Sequence, residues 1–224
     1  MKKYLLAAVL VALAPLAAVS AQNWLGTYAV TAAGHRMGNP DAPTKLVEYV
    51  SYTCPHCGEF FKEADAPIKL SLVQTGKASV EVRNVIRDPV DLAAVVLVNC
   101  GDPSKFWGNH DMFFARQDKW TTAWQLTLPS QRQRWQSGAL GARMRAIASD
   151  LDFYGMMETR GYSRAQVDRC LSDETAIKAL ADKADAAAQA DGVNSTPNFL
   201  LNGKLLKGVY TWDQLQKVVA APNN

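Results

Sequence analysis

The stretch Leu46-Val47-Glu48-Tyr49-Val50-Ser51-Tyr52-Thr53-Cys54-Pro55-His56-Cys57 organises the reading of the whole chain. Residues 46–50 are a dense run of β-formers, apolar on both faces and interrupted by one acid, as expected of a buried central strand. Beyond it, Cys57, Phe60, Phe61, Ala64 and Ile68 recur at helical spacing. That spacing predicts a helix over about 54–74 with one apolar stripe, kinked at Pro67. After Gly76, residues 80–85 read as a second strand. Strand, helix and strand in so short a span make a βαβ unit, whose handedness rule sets the two strands parallel.

On the N-terminal side, residues 27–31 are a short β-rich run and 34–43 a turn cluster, read as a loop. On the C-terminal side, 91–191 has only helical pattern, with helices expected over 92–99, 105–117, 131–149, 163–171 and 174–190. β-formers return at Asn198-Phe199-Leu200-Leu201, then the two-residue turn Asn202-Gly203, then 204–207, a strong hairpin signal. A last helix is expected from an N-cap at Thr211 to residue 220. The fold class is therefore α/β: βαβ, a helical block, then ββα.

With 224 residues, 48% hydrophobic and 20% charged, the composition is that of a globular protein and excludes disordered, collagen-like and multi-span membrane classes. Residues 1–21 read as a secretory signal peptide: Lys2 and Lys3, an apolar run over 4–16, and small residues ending in Val19-Ser20-Ala21. A membrane anchor would need about 20 apolar residues. The remainder is expected to be soluble, without a membrane span, in an oxidising exported compartment. Basic residues outnumber acidic ones 24 to 21, and losing Lys2 and Lys3 leaves 22 against 21. No field able to capture nucleic acid results. Four cysteines are too few for a miniprotein built on disulfides, so each has a particular job.

Cys54 and Cys57, two residues apart at a helix start, can close a small disulfide. Cys54 faces the unpaired N–H groups and positive end of the helix, which stabilise a thiolate, and His56 as donor adds to this. Pro55 occupies a position where a helix tolerates proline. A stabilised thiolate favours the reduced form, so the pair tends to give its disulfide away. Half of a zinc site is an alternative, without a second Cys-x-x-Cys and with His35, His56 and His110 scattered. An inert structural disulfide is another. Glu48, inside an apolar strand, would have a raised pKa if buried without a partner, which suits a group that accepts and returns the Cys57 proton. The alternative is a partly solvated strand residue. His110 reads as a packed or surface histidine; Trp107, Phe113, Phe114, Trp120 and Trp124 read as core of the helical block, with one or two edging a substrate groove.

Several motifs in order resemble the DsbA family of thioredoxin-fold disulfide oxidoreductases. They are Cys54-Pro55-His56-Cys57 with the preceding strand, the helix from Phe106-Trp107 to Gln117, Gly192-Val193-Asn194-Ser195-Thr196-Pro197-Asn198-Phe199, and Asn202-Gly203-Lys204. The resemblance implies a thioredoxin-like fold over 22–90 and 175–224 with an all-helical insertion over 91–174. It makes Cys54 the exposed nucleophile, Cys57 its buried partner, and Pro197 a cis-proline whose neighbour Thr196 pairs through its backbone with an extended substrate. It places an acid at the position of Glu48. Cys100 and Cys170 then read as a structural disulfide across the insertion, with two free buried thiols as the alternative.

The function implied is a periplasmic, monomeric thiol:disulfide oxidoreductase that needs no cofactor and no metal. Its substrates would be reduced exported polypeptides, and a membrane quinone-linked reoxidant resembling DsbB would restore its disulfide. Thr196 before Pro197 keeps a reductase or isomerase of the same fold in play, because threonine there is common in isomerases. A redox-inactive exported metal- or protein-binding module is the rival from another class.

Overall fold

The computed structural model describes residues 22–221; the segment read as a signal peptide, 1–21, lies outside them. Six strands, β1 (Tyr28–Val30), β2 (His35–Gly38), β3 (Thr44–Val50), β4 (Ala78–Asn84), β5 (Asn198–Leu201) and β6 (Lys204–Leu205), form one sheet. Its order is β1-β2-β4-β3-β5-β6, with β3 at the centre as its apolar faces predict. β3 runs parallel to β4, pairing Glu48 with Val82, and antiparallel to β5, pairing Glu48 with Phe199. Helix α1 (Pro55–Pro67) is the crossover of the βαβ unit. At the tip of the β5–β6 hairpin, Asn202 (φ 50°) and Gly203 (φ 80°) both take the left-handed conformation that a type I′ turn requires.

Between β4 and β5 stand α2 (Pro89–Val98), α3 (Phe106–Ala115), α4 (Gln117–Gln125), α5 (Pro129–Gln136), α6 (Leu140–Asp150), α7 (Phe153–Glu158), α8 (Arg164–Ser172) and α9 (Glu174–Ala190); α10 (Trp212–Ala220) follows β6. The sheet with its βαβ unit and the helical block between β4 and β5 give the α/β class the sequence implies. Trp107, Phe113, Phe114 and Trp120 are buried in the core of the block, with Trp120 and Phe113 packed edge-on to Phe153. Trp124 is half-buried and edges a groove beside Pro55.

Several local readings change. The segment 34–43 contains strand β2, because pairing of His35 to Gly38 with β4 overrides a turn-rich composition. The α-helix starting at Pro55 ends at Pro67, and the chain continues as a π-helical stretch over Ile68–Val73. Proline at 67 has no N–H to bond Glu63 and its ring crowds that carbonyl, so the regular ladder cannot pass through it. The helix expected over 131–149 is two helices, divided at Gly138, whose φ of 88° breaks helical geometry. A further helix, α4, follows a break at Arg116 (φ −107°, ψ 6°).

Cys100 and Cys170 are disulfide-bonded, with Cα atoms 5.7 Å apart and 70 residues between them in sequence. The bond ties the segment after α2 to α8. Among the described residues no helix is long and apolar enough to cross a membrane. Closing a loop of this length restricts the unfolded chain by roughly 4 kcal/mol. Replacing both cysteines by alanine should lower unfolding stability in urea by about 2–4 kcal/mol while leaving Cys54 alkylation unchanged; an unaltered unfolding midpoint would contradict a stabilising role.

Candidate active site

Cys54 is placed by three short steps of chain. β3 ends at Val50, the loop Ser51-Tyr52-Thr53 turns outward, and Cys54 takes extended backbone angles (φ −83°, ψ 118°) as N-cap of α1, with Pro55 in its first turn. The pair therefore lies at the carboxyl end of the central strand, where open α/β sheets leave a crevice for ligands. The loop is buried and held from several sides. Asp91 accepts hydrogen bonds from the Ser51 hydroxyl at 2.5 Å and from the Tyr52 N–H at 2.8 Å. Asp88 accepts from the Thr53 hydroxyl at 2.7 Å, and the Tyr52 hydroxyl pairs with His110 Nδ1 at 2.9 Å. Gln117 Nε2 donates to the carbonyls of Tyr52 and Cys54. His110 is thus a packed, hydrogen-bonded histidine, its pKa pushed down to about 3 by burial.

The two thiols are free and differ in environment. Cys57 is fully buried, and loss of solvation pushes its pKa well above the ordinary thiol range. Cys54 goes the other way, down to about 5. The largest cause is the hydrogen bond from the Cys57 thiol, which outweighs the opposing effect of burial; Thr196 and the backbone N–H groups of Cys57 and His56 add to it. The expectation of an exposed Cys54 is corrected, since only 3% of its surface is accessible. It is covered by the Thr196 loop, whose carbonyl accepts from Cys54 Sγ at 3.2 Å. His56 stands beside the pair on the open face of the helix start. Its side chain is 74% exposed and bonds Glu59 at 3.0 Å, and its backbone N–H is directed at the sulfur.

Glu48 has its pKa raised to about 8, chiefly by burial and further by the charge of Asp65, with Lys69 opposing. It lines a small cavity of about 20 Å³ together with Asp65, Lys69, Trp107 and His110, a space for roughly one water. Lys69 bonds both Asp65 and Asp111 at 2.7 Å. The Thr196-Pro197 bond is cis, and register places it just before Asn198, which pairs with Tyr49 on β3. Two open grooves flank the thiols. One, of about 540 Å³, includes His56, Glu59, Glu63, Thr196 and Tyr210; the other, of about 390 Å³, includes Thr53, Pro55, Gln117 and Trp124.

Cys54, Cys57, Pro55, Thr196 and Pro197 are thus gathered at one place, Glu48 lies beneath in the sheet, and Cys100 and Cys170 stand apart in the helical block. Among the described residues no group of three or more His, Cys, Asp or Glu side chains is arranged to hold a metal ion. Sequence reading missed Asp91, Gln117 and the pair Asp65 and Lys69. The last has a local signal, an acid and a lysine at i and i+4; Asp91 and Gln117 reach partners 39 to 65 positions away and have none.

The sequence profile of the thioredoxin family matches residues 31–221. A crystal structure of a protein-disulfide isomerase from Novosphingobium aromaticivorans is 43% identical, covering 84% of this chain and 96% of that one, with a TM-score of 0.80. The DsbA1 of Wolbachia pipientis, 21% identical with a TM-score of 0.61 over 82% of this chain and 87% of that one, shares the fold. A Rickettsia bellii relative named for protein-disulfide oxidoreductase activity is 27% identical over 75% of this chain, which spans 56% of that longer protein. The profile matched over residues 31–221, with 43% identity to the Novosphingobium structure over most of both chains, places the chain in the thioredoxin family.

Proposed function

We propose that this chain is an exported, soluble, monomeric thiol:disulfide oxidoreductase of the periplasm that introduces disulfides into newly exported polypeptides. The observation that carries the reading is the contrast between the two thiols, Cys54 held near 5 and Cys57 held well above the usual range. In the oxidised enzyme a substrate thiolate attacks the Cys54 sulfur; the Cys54–Cys57 bond breaks and Cys57 leaves as a thiolate. Cys57 needs a proton at this point, and Glu48, neutral up to about pH 8, is the group proposed to supply and later accept it. A second substrate thiolate then attacks the substrate sulfur of the mixed disulfide and expels Cys54. Two electrons pass to the enzyme, which is left as the dithiol. A membrane quinone-linked partner resembling DsbB takes them.

Thr196 and cis-Pro197 present a backbone edge to the substrate, and the exchange itself needs neither metal nor cofactor. In this reading 22–90 and 175–224 carry the exchange chemistry, 91–174 supports it, Cys100–Cys170 is structural, and residues 1–21 are the export signal. A second reading, isomerisation or reduction, draws on the name of the Novosphingobium relative and on Thr196 before Pro197. The stabilised Cys54 thiolate favours oxidation, because it stabilises the reduced enzyme.

Alkylation of the reduced protein should follow a titration centred near pH 5, since the thiolate is the reactive species; a midpoint between 8 and 9 contradicts the proposal. Glu48→Gln separates proton transfer from packing. The fold raises the Glu48 pKa, so the contribution of Glu48 to stability is fully present below about 4.5 and is lost as pH rises through 8. The glutamine variant, which does not titrate, should gain on wild type over that window by a few kcal/mol at pH 8. Its rate of peptide oxidation by glutathione disulfide should fall by about tenfold. Parallel losses of stability and rate would instead make Glu48 a packing residue.

A further inference from the structure

We infer that Gln117 is a positioning residue of the redox site: its side-chain amide fixes the two peptide planes that aim the first turn of α1 at Cys54 Sγ. The inference rests on the exchange reading above and names a group in the helical block on which that reading depends. Gln117 opens α4 just past the break at Arg116 and is 3% exposed. Its Nε2 donates to the Tyr52 carbonyl at 2.7 Å and to the Cys54 carbonyl at 2.8 Å. A primary amide has two hydrogens, and both are used here. Among the described residues no other side chain donates to these carbonyls, and the Cys54 carbonyl also accepts the long helical bond from Gly58 N–H at 3.3 Å.

Gly58 is the independent sign that the space is kept for this amide. A Cβ at position 58 would lie 1.8 Å from Gln117 Oε1 and 2.7 Å from its Cδ. Glycine inside a helix is less favourable than alanine, and Gly58 has no left-handed backbone angle to require it. Its absent side chain lets Gln117 reach the loop.

The consequence for the sulfur is geometric. The N–H groups of His56 and Cys57 that favour the Cys54 anion belong to the peptides following Cys54, and their direction depends on the peptide plane whose carbonyl Gln117 holds. The Tyr52 carbonyl is held by the same amide while Asp91 holds the Tyr52 N–H, so the loop cannot rotate at either end. The amide hydrogens also bring partial positive charge beside Cys54 in a place screened from water. Removing the amide relaxes the aim and leaves two carbonyls without a donor.

The test is an ultraviolet thiolate titration of the full-length reduced protein carrying Gln117→Met, which keeps chain length and removes both donors. The Cys54 midpoint should rise by roughly half a pH unit to one unit. Gly58→Ala should move it the same way by displacing the amide, although alanine is the better helix former. A folded Gln117→Met protein with the wild-type midpoint, and only a lower unfolding midpoint, overturns the proposal. If that variant does not fold, an unmoved midpoint in Gly58→Ala overturns it. No substrate is needed, so the two readings fail separately: a wild-type midpoint between 8 and 9 sinks the thiolate reading, whereas a wild-type midpoint near 5 that neither variant moves sinks the role of Gln117 alone.

Discussion

An anion at Cys54 must be sustained where little water reaches it, and most of the surrounding structure can be read as the answer to that constraint. A thiol lowered to about 5 has its anion favoured despite the opposing cost of burial. No cationic side chain is among the leading causes. The stabilisation comes from a neighbouring thiol, Thr196 and two backbone N–H groups, all short-range and all dependent on direction. Hydrogen bonds of this kind are lost by small rotations, so the loop that carries the sulfur has to be rigid.

That need connects the sheet to the helical block. Tyr52 is fully buried, and its N–H, carbonyl and hydroxyl are bonded to Asp91, Gln117 and His110, on α2, α4 and α3. The block is therefore a second wall for the redox loop. Asp91 sits in the first turn of α2 under an N-cap from Asp88, and burial raises its pKa to about 7 although Ser51 and two backbone N–H groups donate to it. Below the loop, the cavity lined by Glu48 puts an acid with a raised pKa into the same core. The molecule thus keeps two kinds of titrating group close together: a thiol made acidic by aimed donors and carboxyls made weak by burial.

The architecture was legible where sequence carries local periodicity. Residues 46–50 read as a central strand, the Asn202-Gly203 hairpin and the βαβ unit all follow from patterns a few residues long, and the order of cysteines, proline and helix start marks the redox pair. What the sequence left unread depends on distant partners. β2 is a strand because β4 lies beside it; α4 exists because the chain breaks at Arg116; Gln117 matters because of carbonyls at 52 and 54. His56 is legible inside the motif, while its pairing with Glu59 three residues on and the direction of its backbone N–H come from the fold.

The direction of electron flow is set by how strongly the reduced form is favoured. Equilibration of the Cys54–Cys57 pair with glutathione measures this directly. The account predicts a reduction potential close to the value known for DsbA itself, about −120 mV, at which the disulfide is readily donated. A potential near the value known for thioredoxin, about −270 mV, would contradict it and make the chain a reductant.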